Sequence, residues 1–488
     1  MSTHIVGRDK EQSILTQLLN SERAEFLALI GRRRVGKTFL IKNFFEKKPC
    51  VFFYCSGQKD GKLKQHLMDF AVQIGHAFYN GANISPCKSW RDTFEELTKA
   101  IQQVNKNKKI VLFFDELPWL ATKRSNLLPA LDYYWNRYWS HEKNIKLIVC
   151  GSSASWITKN IINNKAGLYN RLTRTICLEP FTLKESEALL HALKIKLNHK
   201  QILDLYMVLG GIPHYMVLVQ KGLSAYQCID TLCFQKNGAL VKEFDRLFAS
   251  LFSEPETYVA LIRVIARYHD GIGQARLIQE SGASDGGRTV QRLKELIEAG
   301  FILEFIPYGR HEKGLYYKVI DEFTLFYLQW MEPNMQTILK QNNNNSYWLA
   351  KTKTPSWKSW AGYAFESIGH KHIAQIQKAL HIEPGAEIGS WRYLAKNLEQ
   401  QGTQIDLLFD RTDQVITICE IKFNESPFVI DKLYAKKIVN KIETYKTQSK
   451  TKKQIYFAMI TVNGLKKTMY SEELVDGGVM MLNDFFGV

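Results

Sequence analysis

Gly31-Arg32-Arg33-Arg34-Val35-Gly36-Lys37-Thr38 fits the pattern G-x-x-x-x-G-K-[ST] at every position, and its reading decides the fold. At ordinary residue frequencies such a match arises by chance about once or twice per hundred chains of this length. The setting sharpens it: an apolar run, Phe26–Ile30, enters the loop, and a helical pattern, Phe39–Phe45, leaves it. Strand, loop and helix are the context in which this motif binds phosphate. The glycines let the backbone close around a triphosphate, and the amides that open the helix donate to it. All eight residues are expected to contact ATP, with Lys37 neutralising the β- and γ-phosphates and the Thr38 hydroxyl binding Mg²⁺.

Downstream, Val111-Leu-Phe-Phe-Asp115-Glu116 has the form of a Walker B strand. A carboxylate at the carboxyl end of a strand reaches the crevice where ligands sit in open α/β sheets. Asp115 is assigned to Mg²⁺, and Glu116 to orienting or deprotonating the attacking water. The remaining runs in this part are Cys50–Cys55, Lys146–Cys150 and Thr175–Leu178. Several of the five runs are too continuous to be half-exposed, which suits a parallel sheet covered by helices on both faces. The fold class is α/β, built on a P-loop NTPase core over residues 1–180.

Residues 181–250 carry helical periodicity broken at Gly210-Gly211-Ile212-Pro213, and read as a helical lid. A helix–helix–helix–hairpin pattern follows within 251–335 and reads as a winged helix. In its third helix Val290, Leu293, Leu296 and Ile297 share one face, with Ser284 or Asp285 capping the start and Gly300 following the end. Arg288, Gln291, Arg292 and Lys294 fall off that stripe, and Arg310, His311 and Lys313 lie in the wing turn. Such positions reach bases and phosphates in a DNA-binding winged helix; a solvated face that only positions neighbouring domains is the plainer alternative. The polar stretch 336–355, with its Asn-rich Gln341–Asn345, is taken as a linker. Residues 356–488 form a second α/β unit.

That last unit contains Gly402-Thr-Gln-Ile-Asp406 and, on the next apolar run, Glu420-Ile-Lys422. Nucleases of the PD-(D/E)XK type use D…E-x-K to bind Mg²⁺ or Mn²⁺ through two carboxylates, with the lysine steadying the attacking water or the phosphorane charge. On a strand, Glu420 and Lys422 share one face. The bare pattern arises by chance about once or twice in a chain this long. Its weight comes from acids placed in apolar strands, where an unpaired charge is costly. Glu366, on an upstream helix between Gly362 and Gly369, supplies a third acid, the glycines leaving room for it. An inactive relic or a structural salt bridge is the competing account.

The chain has 65 Lys plus Arg against 48 Asp plus Glu, a net +17 that suits a polyanionic partner such as nucleic acid or nucleotide and equally a generally Lys-rich proteome. Eight scattered cysteines without a C-x-x-C pair read as reduced core thiols of a cytoplasmic protein. No apolar window is long enough to span a membrane.

Ile5-Val-Gly7-Arg8-Asp9-Lys-Glu11, the phosphate loop, Phe113-Phe-Asp-Glu-Leu-Pro-Trp-Leu120, Cys150-Gly-Ser-Ser153, Leu168-Tyr-Asn-Arg171 and Gly210-Gly-Ile-Pro213 together resemble the archaeal-type AAA+/STAND-related ATPases. The resemblance implies that Ser152 or Ser153 occupies a sensor position near the γ-phosphate. It also implies that Arg171 is an arginine finger and that Pro213 packs near adenine. A finger working between subunits requires a homo-oligomer. Asn170-Arg171 departs from the Gly-Arg of many members, which leaves a surface ion pair as the other account of Arg171. The series from Trp357 and Trp360 through Gly362, Phe365 and Glu366 to Asp406, Glu420 and Lys422 resembles the restriction-endonuclease-like domain fused to ATPases of this class. The expected function is therefore an ATPase that acts as an ATP-regulated, Mg²⁺-dependent nuclease on DNA. The alternatives are an ATP-dependent switch or DNA-binding regulator with an inactive nuclease fold, and a protein-interaction ATPase.

Overall fold

The computed structural model describes residues 4–122, 124–163, 170–284, 286–306, 314–340, 346–393 and 402–487. Asp285, Leu168, Tyr169, Arg310, His311, Lys313 and Gln341–Asn345, all singled out above, lie outside the described residues. The chain divides into two compact units. The first comprises Met1–Pro180, Ile212–His214 and Val290–Gly300, and the second Phe181–Gly211, Tyr215–Thr289 and Phe301–Val488.

In the first unit the apolar runs become five strands: β1 (Glu25–Ile30), β2 (Cys50–Ser56), β3 (Lys109–Asp115), β4 (Ile145–Cys150) and β5 (Arg174–Cys177). All pair in parallel in the order β2-β3-β4-β1-β5. Every residue of β4 is buried, and β1 and β3 are exposed only at one end. Both faces are covered, as continuous apolar strands demand. One face packs Phe53, Phe70, Trp90, Phe94 and Phe114, with the Phe94 and Phe114 rings stacked at 5.9 Å. This packing fixes the strand ends and so aims Asp115 and the loop after β1 at one edge of the sheet.

The second unit begins with helices. Thr182 opens the Leu183–Ala192 helix with a capping box closed by Glu185. Within the expected linker the described residues 346–355 are packed: Tyr347–Lys351 is helical, and Trp348 is buried against Phe234, Phe326, Trp330 and Trp360. Its backbone N–H donates to Asp230 at 2.7 Å. The asparagines point to a loop, while three residues after Asn345 the large ring of Trp348 supplies enough apolar area to anchor the segment.

Next come the helices Pro255–Ala266 and Gln274–Ser281, and a small antiparallel sheet of β6 (Ile272–Gly273), β7 (Ile302–Phe305) and β8 (Tyr316–Val319) in the order β6-β8-β7. The helix Gly287–Glu298 stands between β6 and β7 in sequence. Leu293 and Leu296 on it are buried, while Arg288, Gln291 and Lys294 are exposed. From Val290 to Gly300 the chain belongs to the first unit.

A five-stranded sheet closes the second unit: β9 (Glu387–Tyr393), β10 (Thr403–Asp410), β11 (Val415–Lys422), β12 (Gln454–Thr461) and β13 (Val479–Met480). In the order β13-β12-β11-β10-β9, β9 to β11 pair antiparallel and β11 to β13 parallel. The helix Lys432–Ser449 supplies the crossover from β11 to β12, and the helix Pro355–Lys371 lies against β11. A Cβ on Gly369 would stand 2.7 Å from Ile421 Cδ1, so this glycine lets helix and strand approach. Gly362 faces open space. Neither makes room for Glu366, contrary to the expectation from sequence.

Of the cysteines, Cys55, Cys150, Cys228, Cys233 and Cys419 are buried; Cys50 and Cys87 are half-buried, and Cys177 is exposed. These last three are therefore not core thiols. No helix among the described residues is long and apolar enough to cross a membrane.

Candidate functional site

The loop after β1 is set by backbone chemistry before any side chain. Gly31 takes φ +142°, and a Cβ there would lie 2.4 Å from the Leu178 carbonyl oxygen. Arg34 and Gly36 also carry positive φ, at 72° and 94°. The helix Lys37–Phe45 starts directly after Gly36, two residues earlier than the apolar pattern places it, so Lys37 and Thr38 occupy its first turn.

Lys37 is buried and donates from Nζ to the carbonyls of Gly31 at 2.7 Å and Arg32 at 3.0 Å. Burial pulls its pKa below the usual lysine value, against the opposing pull of Cys150, Glu116 and Asp115. A buried ammonium with neutral carbonyl partners gains most from an anion. The Thr38 hydroxyl donates to Asp115 Oδ2 at 2.7 Å. Two hard oxygens at that separation, a hydroxyl and a carboxyl, are the donor set a small divalent cation takes from a protein that leaves the remaining positions to water and phosphate. Thr38 and Asp115 therefore fit Mg²⁺, and the residues around Lys37 fit a triphosphate.

Asp115 is fixed from several directions. The Cys150 thiol and the Glu116 backbone N–H donate to Oδ1, at 2.8 and 3.0 Å, and the Tyr54 hydroxyl reaches Oδ2 at 3.4 Å. Glu116 takes φ 47°, which turns its carboxylate toward β4, where it accepts from the Ser152 backbone N–H and hydroxyl, both at 2.9 Å. Burial pushes the Glu116 carboxyl above its usual range, the Ser152 hydrogen bonds and Lys37 opposing and Asp115 assisting. A carboxyl raised in this way is suited to taking a proton from water. Ser153 instead caps the Ala154–Ile157 helix, accepting from the Trp156 N–H, so of the two serines Ser152 faces the site.

Several partners here went unseen in the sequence. Arg8, buried, donates from Nη2 to the Val35 carbonyl at 3.4 Å. Arg34 is hydrogen-bonded to His214, which holds the neighbouring Pro213, at the start of the Pro213–Met216 helix, beside the phosphate loop. Cys150 and Tyr54 lie on strands flanking β3, and only the register shows that they reach Asp115. Arg171 lies apart from this cluster. It precedes β5, whose Arg174 pairs with Leu27, and Thr173 bonds Phe26 and Glu25. It thus lies toward the amino end of the sheet, whereas the phosphate loop leaves the carboxyl end, about 20 Å away at the rise of a strand. Arg171 cannot serve its own chain's phosphate loop from there.

The second constellation lies in the second unit. Asp406 on β10 and Glu420 on β11 are 7% and 6% exposed, Lys422 ends β11, and Glu366 comes from the Pro355–Lys371 helix. Glu366, Asp406 and Glu420 line one cavity of about 450 Å³. The Ile421 N–H donates to Asp406 Oδ2 at 3.0 Å. Glu420 Oε1 pairs with Lys422 at 2.7 Å and accepts from the Tyr434 hydroxyl at 2.8 Å; Oε2 pairs with Lys441. Tyr434 and Lys441 come from the Lys432–Ser449 helix, and neither was placed at this site from sequence.

Burial and the Asp406 charge push the Glu366 carboxyl up to about 8. Burial and Glu420 raise Asp406 as well, with Lys422 and Lys441 opposing. Glu420 runs the other way: burial would raise it, but Lys441 and Lys422 hold it down at about 2. Crowded acids of this kind are what a cation relieves. Among the described residues no three His, Cys, Asp or Glu side chains stand close enough to cage a metal. The pocket instead offers Asp406 and Glu420 as an oxygen-only pair, which is how Mg²⁺ is held where water and substrate phosphate complete its shell.

Residues 5–219 match a family described as an ATPase domain predominantly from Archaea. An uncharacterised protein of Methanocaldococcus jannaschii is 24% identical over 425 residues, 86% of this chain and 88% of its own length. An uncharacterised ATP-binding protein of the same organism is 49% identical over 43 residues, covering 9% of this chain and 73% of that one. Among solved structures, the Walker-type ATPase of Pyrococcus abyssi aligns with TM-score 0.48 at 20% identity, over 67% of this chain and 96% of its own. The ORC2 protein of Aeropyrum pernix aligns with TM-score 0.43 at 14% identity, over 70% and 96%.

Proposed function

The chain carries, at residues 5–219, an ATPase domain of a kind found predominantly in archaea, and from that premise we propose that it couples ATP hydrolysis to Mg²⁺-dependent cleavage of DNA. The ATPase cycle assigns binding to Gly31–Thr38, Mg²⁺ to Thr38 and Asp115, and water activation to Glu116, with Ser152 holding that carboxylate until nucleotide arrives. The metal, when bound, screens the phosphate charge. Lys37 exchanges its loop carbonyls for phosphate oxygens, and Pro213 borders the base. Arg171 acts on a neighbouring copy, so the ATPase is a homo-oligomer.

Residues 181–250 then form a lid and 251–335 a winged helix that presents Arg288, Gln291, Arg292 and Lys294 to DNA. Residues 356–488 form the nuclease-like domain. One observation carries the nuclease reading: Glu366, Asp406 and Glu420 come from a helix and two strands to a single cavity, with Lys422 bonded to Glu420. There Asp406 and Glu420 hold Mg²⁺ or Mn²⁺. Lys422 stabilises charge on the phosphate, and Glu366, already inclined to keep its proton, is placed to exchange one with water or the leaving oxygen.

Incubating the protein with plasmid, short duplexes or single-stranded oligonucleotides, Mg²⁺ or Mn²⁺ and ATP tests this. Cleavage lost in Asp406→Ala supports it; no cleavage under any combination, or equal cleavage by the variant, rejects it. The Lys441–Glu420 pair favours a second reading, an ATP-driven DNA-binding switch with an inactive nuclease fold, because two lysines already satisfy one of the metal-holding acids. DNA binding without scission, and no Mn²⁺ uptake at Asp406 and Glu420, distinguish that outcome.

A further inference from the structure

A second cavity, about 1230 Å³, runs beside the small sheet of the second unit and shares Asp270 and Tyr363 with the acidic pocket, so the two adjoin. Its walls combine cations and rings. Arg267, Arg276 and Arg392 line it, together with Tyr316, Tyr363 and Ile306. Arg267 is exposed; Arg276 lies over the Tyr268 ring at 4.7 Å and pairs with Glu280 at 2.7 Å; Arg392 pairs with Asp270 at 3.0 Å. Tyr363 is 39% exposed and already stacked on His269, with ring centroids 4.0 Å apart and planes within 8°.

Resting on the nuclease reading above, we infer that this groove admits a single strand of nucleic acid and leads its backbone to Asp406 and Glu420. Arginines in a groove track phosphates, and rings in the same groove need exposed base faces to stack on, which a duplex keeps inside its own stack. The Tyr363–His269 pair offers a flat platform on which a base continues the stack. Lys437 and Lys441 also line the acidic pocket, Lys441 paired with Glu420, and extend the cationic lining beside the carboxylates. Exposed ion pairs such as Arg392–Asp270 and Arg276–Glu280 are weakly held, so phosphate competes for these arginines at little cost.

The test uses the full chain without divalent metal, which prevents cutting, and labelled mixed-sequence oligonucleotides: single-stranded DNA, single-stranded RNA and the DNA duplex, read by fluorescence anisotropy. Either single strand should bind at least about tenfold more tightly than the duplex, with each of Tyr316→Ala and Tyr363→Ala losing about tenfold of that affinity. Arg267→Glu should weaken binding and flatten its salt dependence. Melting temperature and Mg²⁺-ATP turnover of each variant verify that it is folded. Duplex bound as tightly as single strand, or folded variants with unchanged affinity, overturns the inference. Adding Mn²⁺ separates it from its premise. Single-strand binding through the groove without scission sinks the nuclease reading alone, and scission untouched by the groove variants sinks the groove alone.

Discussion

Asp115 is satisfied on both oxygens by Thr38, Cys150, Tyr54 and its neighbour's amide, so its geometry is set before any cation arrives. Lys37→Ala should abolish the thermal stabilisation given by Mg²⁺-ATP, which at a hundred times Kd is about 2.7 kcal/mol for a single site. A melting curve with and without nucleotide checks it; an undiminished shift sinks the assignment. Glu116→Gln should retain that shift while ATP turnover falls about 10²- to 10⁴-fold, the range for loss of a general base. His372 carries a pH dependence. Its Nδ1–H donates to the Ile368 carbonyl at 2.8 Å and Nε2 accepts from the Leu183 N–H at 3.0 Å, fixing the neutral ring, and burial pulls its pKa down from 6.5 to about 4. Because the unfolded ring takes its proton first, this share of stability is complete above pH 6.5 and drains away as pH falls toward 4. Urea titrations across that window should show a loss, of order 3 kcal/mol from this ring, and His372→Gln should remove that share while leaving the part carried by His370, which burial also pulls down to about 4. Residues contiguous with a motif, such as Lys37 and Thr38, were legible in the sequence. Cys150, Tyr54, His214, Tyr434 and Lys441 were not, because each reaches its carboxylate or arginine through sheet register or a distant helix.

Elements were legible wherever one periodicity ruled a long stretch. The five strands of the first sheet fall within a residue or two of their apolar runs; β1, β3 and β4 are buried on both faces and leave an unbroken signature, while the edge strands β2 and β5 are half-exposed, against the expectation from their apolar runs. Around Trp348 the local composition points to a linker although a single large ring anchors the segment; Trp348→Ala should cost about 3–5 kcal/mol in a denaturant titration, where an open linker would lose nothing. The Pro355–Lys371 helix separates its two glycines. Gly362 meets nothing within 4 Å, so Gly362→Ala should raise stability by roughly 0.5–1 kcal/mol through helix propensity. Gly369→Ala should gain less or lose, since Ile421 must shift.

For the whole molecule, a net charge of +17 says that binding to any polyanion weakens with salt, whichever surface is used. Affinity measured at one ionic strength therefore says little about the site. The domain order read from sequence was linear, one block after another, because periodicity carries no information about which distant stretches pack together. The structure threads differently: the first unit reclaims Ile212–His214 and Val290–Gly300 after the chain has left it. The ATPase thus has no single seam along which it can be cut free. A fragment ending at residue 219, where the family match stops, would lack the 290–300 piece of its own fold. Such a truncation should melt lower and hydrolyse ATP more slowly than one carried through residue 300, and a protease nick between 219 and 290 should leave the severed ends associated.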